Sequence, residues 1–132
     1  MTATTFAEVA EGVRATIARY THALDDGRTD DVVATYCADG VFDFPGTGTY
    51  EGHDALRETY EAWKPRRPQR HMVLNTLVDG WDDHEAAATS DVVLIVQNKE
   101  GAWSVGFVAR YRDALRLEDG AWKFVRRTVL AS

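Results

Sequence analysis

A change of hydrophobic period near residue 70 limits, more than anything else, what this chain can fold into. Before it, apolar residues recur at three- and four-residue spacing. Phe6, Val9, Val13, Ile17, Tyr20 and Leu24 form one stripe, and Leu56, Tyr60 and Trp63 another, so helices are predicted. After it come long β-rich stretches: His71 to Val78, Glu85 to Asn98, Trp103 to Leu117 and Ala121 to Leu130. Their separators, Asp79 to Asp83, Asn98 to Gly101 and Glu118 to Gly120, are turn chemistry. Strands joined by turns this short pair as an antiparallel meander.

Punctuation in the first half sets the remaining elements. Gly27 is placed to end the first helix in a left-handed cap. Thr29 reads as the N-cap of a short second helix reaching about Cys37, and Pro65 ends a third that begins near His53. Val41 to Phe44 and Gly48 to Glu51 are predicted as short strands. The predicted order is α-α-β-β-α-β-β-β-β in a single domain over residues 1–132. That is an α+β fold, a cone-shaped α+β barrel in which three N-terminal helices pack on a strongly curved, mostly antiparallel sheet. Long strands coil, so a pocket between sheet and helices is expected. A strict two-residue period puts His71, Val73, Asn75 and Leu77 on one face of the first meander strand. It aligns Trp103, Val105, Phe107, Ala109 and Tyr111 on the third, and sets Val125, Arg127 and Val129 against Trp122, Phe124, Arg126 and Thr128 on the last.

Several function classes are disfavoured. A net charge of −6 gives no basic surface for nucleic acid. The single cysteine, Cys37, leaves no internal disulfide and no cysteine-based zinc site, and no HxH or HExxH spacing occurs. No metal and no cofactor are therefore expected. There is no Gly-x-Ser-x-Gly elbow and no phosphate-binding glycine loop. No apolar run reaches the length of a membrane span, and the opening residues lack a signal-peptide pattern. A cytoplasmic protein without membrane partners is the expectation.

The chemistry concentrates in two segments. Tyr20-Thr-His-Ala-Leu-Asp25-Asp26-Gly27 ends the first helix with a carboxylate, where the carbonyl dipoles disfavour an anion and invite a compensating partner. Arg70-His71 opens the meander with an imidazole. If the fold joins Asp25 to His71, the chain holds an oriented general base, with Tyr20 one turn earlier as a hydroxyl donor. Trp63, Phe107 and Tyr111 are candidates to line an apolar pocket. Asp91, a polar break in an apolar strand, is placed on the outer face.

These residues carry a resemblance. Tyr20-(x4)-Asp25, Tyr50-Glu-Gly-His53, Arg70-His71 and the Asp119-Gly-Ala-Trp-Lys-Phe124 hairpin resemble the SnoaL-like branch of the nuclear transport factor 2-like superfamily. That branch includes polyketide cyclases, with scytalone and bile-acid dehydratases related to it. The resemblance implies that Asp25 and His71 match a dehydratase Asp–His pair. Tyr20 would lie near a substrate oxygen, and Arg127, or Arg126 beside it, would be a basic residue of the last strand. Leu24, Phe44 and Val96 stand where scytalone dehydratase has tyrosine, tyrosine and histidine. Phe44 would then be a pocket wall, and a substrate carbonyl would be polarised by Tyr20, Tyr111, Asn75 or Arg127.

The expected function is a small cofactor-free lyase or isomerase, a dehydratase, double-bond isomerase or cyclase, acting next to a carbonyl of an apolar cyclic substrate. A second reading is a non-catalytic binding or dimerisation domain of the same fold. In either case the long meander implies a homodimer or higher homo-oligomer.

Overall fold

The computed structural model describes residues 4–131. It contains α1 (Phe6–Asp25), α2 (Thr29–Ala34), β1 (Tyr36–Phe44), β2 (Gly48–Glu51) and α3 (His53–Ala62). Then follow β3 (Gln69–Trp81), β4 (Glu85–Gln97), β5 (Trp103–Glu118) and β6 (Ala121–Ala131). The element order matches the sequence reading, with shifted boundaries: β1 begins at Tyr36 rather than Val41, and β3 runs from Gln69 to Trp81 rather than from His71 to Val78. Thr29 lies inside α2, its hydroxyl spent on Glu61 rather than on a cap. The helix also stops at Ala34, because Tyr36 already pairs with Phe124 of β6.

α1 begins in a capping box, in which Thr5 and Glu8 exchange side-chain-to-backbone hydrogen bonds. It ends at Gly27, whose φ of +70° allows Gly27 N–H to reach the Leu24 carbonyl and Arg28 N–H the Ala23 carbonyl. The carboxylate of Asp25 is thereby held at the very end of the helix. The apolar stripe Val9, Val13, Ile17 and Tyr20 is buried against the sheet.

The six strands run in the order β2-β1-β6-β5-β4-β3, antiparallel except where β1 lies parallel to β6. The sheet is curled but does not close into a barrel, since β2 and β3 remain as its edges. Its curl comes with β-bulges, each setting one extra residue into a strand and increasing the local twist. Asn75 with Thr76 on β3 opposes the single Ser90, Gly106 is extra between Val105 and Phe107, and Val125 is extra between Phe124 and Arg126. Each bulge reverses which residues face the helices. On β3 the inner set is His71, Val73, Thr76 and Val78, while Leu77 turns outward; on β5 Trp103 and Val105 turn away from Phe107; on β6 Trp122 and Phe124 join Arg127 and Val129. The faces expected from a strict two-residue period are therefore corrected beyond each bulge.

Candidate active site

Asp25 and His71, 46 positions apart, are in direct contact. Asp25 Oδ1 lies 2.6 Å from His71 Nδ1, and Oδ2 accepts the His71 backbone N–H at 2.8 Å. Gln69, which the sequence reading did not single out, donates from Nε2 to Oδ1 at 3.2 Å. Three donors thus offset the unfavourable helix end, and they fix the carboxylate as well as the ring. A carboxylate only accepts, so the ring nitrogen facing it carries the proton, leaving Nε2 with its lone pair free. Nε2 makes no hydrogen bond among the described residues. The side chains are 12% and 6% exposed for His71 and Asp25, so the pair is sheltered yet open on one side.

Across the sheet, His71 pairs with Leu94 and Leu94 with Phe107, making one inward row. These three and Phe44 are half-buried, and Trp63 is exposed at the rim. Phe44 and Phe107 lie 6.0 Å apart, and Trp63 stands edge-on to Phe42 and Tyr50. Val92, Ala109, Tyr111 and Val129, the next residues inward, are sealed. The part of the concave face that is not fully buried accordingly lies along this row, which runs from His71 to Phe107 and the neighbouring Phe44. Deeper in, side chains fill the space.

The four candidates for polarising a carbonyl are placed very differently. Tyr20 is sealed, its hydroxyl 2.7 Å from that of Tyr60, which also meets Tyr36 at 2.8 Å. Arg127 is fully buried in a bidentate pair with Asp113, at 2.8 and 3.1 Å, and lies over the rings of Tyr111, Tyr20 and Phe124 at 3.6, 4.4 and 4.4 Å. Burial works against its charge, but Asp113, Tyr111 and Tyr20 more than offset that and hold the guanidinium protonated. Arg126 faces outward to Asp43 at 2.8 Å, which resolves the choice between the two arginines as to burial. Asn75 is turned out of the concave face by its own bulge, with φ +56°, and donates to Asp91. Asp91 also accepts from Arg110 on the outer face, as its expected register implied.

Tyr111 differs from the other three. Its side chain is buried, yet its hydroxyl has no partner among the described residues. The one sealed, unpartnered side-chain nitrogen or oxygen among the described residues is Nη1 of Arg127, whose guanidinium lies over the Tyr111 ring. Burial pushes its phenol up, Tyr20 adds to this, Arg127 opposes it, and Asp113 and Asp25 raise it further.

Of the remaining histidines, His53 is satisfied by the Tyr36 carbonyl at 2.9 Å. Among the described residues no group of three His, Cys, Asp or Glu side chains is arranged to hold a metal ion. No described helix is long and apolar enough to cross a membrane. Asp113 was missed by the sequence reading: it stands among Arg110, Arg112, Arg116 and Glu118 on β5, and only the pairing of β5 with β6 sets it opposite Arg127.

Comparison with known proteins agrees with this architecture. The chain belongs to the SnoaL-like domain family, whose model matches residues 6–128. A protein from Catenulispora acidiphila, solved in complex with S-DNPA, is 28% identical with a TM-score of 0.84, over 93% of this chain and 92% of its own. Aln2 from a Streptomyces species is 22% identical with a TM-score of 0.87, over 98% of this chain and 94% of its own. A Novosphingobium aromaticivorans protein, provisionally described as a scytalone dehydratase, is 23% identical with a TM-score of 0.82, over 93% of this chain and 83% of its own. The last two likenesses are of fold alone. No curated protein matches the sequence.

Proposed function

We propose that this protein is a lyase or isomerase that removes a proton next to the carbonyl of an apolar cyclic substrate. The observation that carries the proposal is the contact of Asp25 Oδ1 with His71 Nδ1 at 2.6 Å, which leaves Nε2 as the base. Phe44, Phe107 and Trp63 offer flat apolar walls for a ring system. The enolate oxygen needs a donor, and Tyr111 is the candidate whose hydroxyl is unspent. Arg127, 3.6 Å from the centre of that ring, withdraws electron density from it and makes the hydroxyl a stronger donor. Tyr20 holds the Tyr60 hydroxyl and supports the site from behind. The Catenulispora acidiphila neighbour with S-DNPA supports a ligand-holding role for this architecture. Dehydration, double-bond migration and cyclisation all begin with this proton transfer.

We further propose a homodimer formed through the outer sheet face. Met72, Leu74, Val105 and Val108 lie there 45–63% exposed, a contiguous apolar surface larger than isolated exposed side chains would make. Asp91 and Arg110, in the same cross-strand row as Leu74, bring both signs of charge, which two copies related by a two-fold axis can exchange.

Proton removal is measurable without the natural substrate. 2-Tetralone has acidic hydrogens beside its carbonyl, and their exchange in D2O is followed by proton NMR. The wild-type protein is expected to accelerate exchange, His71→Ala to lose about 10²–10⁴-fold, and Tyr111→Phe to lose up to about 10²–10³-fold. Exchange at the buffer rate, or full activity in His71→Ala, refutes the reading and favours a binding domain.

A further inference from the structure

A second concave site lies away from the Asp25–His71 pair, where α1 and α2 meet the start of β6. It is a half-enclosed cleft of about 390 Å³, within the range of small-molecule pockets. Trp122, Ala34 and Ala18 form its apolar wall, and Arg19, Lys123, His22 and the paired Arg28 and Asp31 stand around it. Trp122 is buried to 7% exposure, with the Cδ1–Nε1 edge of its indole against Gly12 of α1, where even a methyl group would clash. This wall is accordingly rigid, and it is backed by the Thr16 hydroxyl, which donates to the Trp122 carbonyl.

Charge sets the ligand class. Arg28 also borders the cleft, but Asp31 and Asp26 already engage it. Arg19 and Lys123 have no carboxylate within ion-pair distance among the described residues. Glu118, the acid that senses Lys123, is taken up by Arg116 at 3.1 Å. In a chain of net charge −6, two uncommitted cations over an apolar hollow make a local inversion of sign. An anion gains from both, and an apolar body attached to it gains from Trp122 and Ala34. The cleft is too open and too cationic to favour a neutral hydrocarbon.

We infer that this cleft binds a small aromatic carboxylate, its ring against Trp122 and its carboxylate between Arg19 and Lys123. The site is independent of the proposed chemistry at His71, so its occupancy neither needs nor reports turnover.

The probe is 2-naphthoate, titrated into the ¹⁵N-labelled protein and followed by chemical-shift change. Saturable shifts are expected at the Trp122 indole N–H and at the Thr35 and Lys123 amides, and they persist in His71→Ala. Arg19→Glu combined with Lys123→Glu is expected to weaken binding about tenfold or more, and raised salt to weaken it in the wild type. Ala34→Phe, which fills the hollow without changing charge, is expected to do the same at constant salt dependence of whatever binding remains. The neutral 2-naphthalenemethanol is expected to bind about tenfold more weakly than 2-naphthoate. No shift at Trp122 with millimolar 2-naphthoate overturns the inference. So does a titration unchanged by either the charge reversal or Ala34→Phe in folded protein, or a set of shifts confined to the surroundings of His71.

Discussion

Replacing Asp25 by asparagine tests the geometry of the base directly, because the two side chains have the same shape and different hydrogen-bonding rules. Asp25 accepts from the His71 backbone N–H, from His71 Nδ1 and from Gln69 Nε2. An asparagine has one accepting oxygen and one donating amide. The backbone N–H cannot change its role, so the oxygen stays there and the amide faces Nδ1. His71 then moves its proton to Nε2, and Gln69 turns its own amide to accept. All contacts survive, and the stability change is expected to be within about 1–2 kcal/mol, the worth of a charged against a neutral hydrogen bond. Catalysis does not survive, since the nitrogen facing the substrate now carries a hydrogen. Wrong-tautomer variants of an Asp–His pair in serine proteases lose about 10⁴-fold, and a loss of that order is expected in 2-tetralone exchange. The ¹⁵N shifts of the imidazole give a readout independent of any substrate. In the wild type Nδ1 is expected to resonate as the protonated nitrogen, and in Asp25→Asn the two nitrogens exchange character. A wild-type ring protonated on Nε2 alone, or a variant with the same tautomer and full exchange activity, refutes the reasoning.

The other expectations concern the buried polar core and the outer face. Asp113→Ala strands the Arg127 guanidinium without its partner and is expected to cost about 3–5 kcal/mol in urea unfolding, whereas Asp113→Leu with Arg127→Met costs far less; equal losses would show that the charge was never the issue. Burial raises the phenols of Tyr20, Tyr36, Tyr60 and Tyr111 above their usual value of 10.0. The folded chain therefore keeps protons that the unfolded chain releases above that pH, and stability falls as pH rises. At pH 11 each phenol accounts for about 1.4 kcal/mol, or about 6 kcal/mol for the four together, so urea midpoints flat from pH 8 to 11 would contradict the burial argument. The proposed dimer is expected to sediment as such in the wild type and as a monomer in Leu74→Glu with Val105→Glu, with the fold retained; a sedimentation coefficient unchanged by the substitutions removes the outer face as the interface.

Much of this architecture was legible before any coordinates. The change of period at residue 70 separates helices from meander, and Gly27, Pro65 and the aspartate–glycine turns mark the ends, because such signals act over a few neighbouring residues. Asp25 and His71 were also legible, as a carboxylate ending a helix and an imidazole opening a strand. Their contact required only that α1 lie along β3, with both residues at the same end.

Beyond the bulges, local pattern could not decide. Alternation assigned Asn75 and Leu77 to the concave face, but one inserted residue reverses every side chain that follows it. An insertion is defined against the partner strand, so no strand reveals its own. The same limit applies to Tyr20 and Arg127. Sequence identified both as polar groups beside the site. Only the folded chain shows that Tyr60, 40 positions away, and Asp113, on the neighbouring strand, take up their polar atoms and leave Tyr111 with an unspent hydroxyl. Element type follows from interactions along the chain, whereas the partner of a buried polar group follows from how separate elements meet, and that is set by packing in three dimensions.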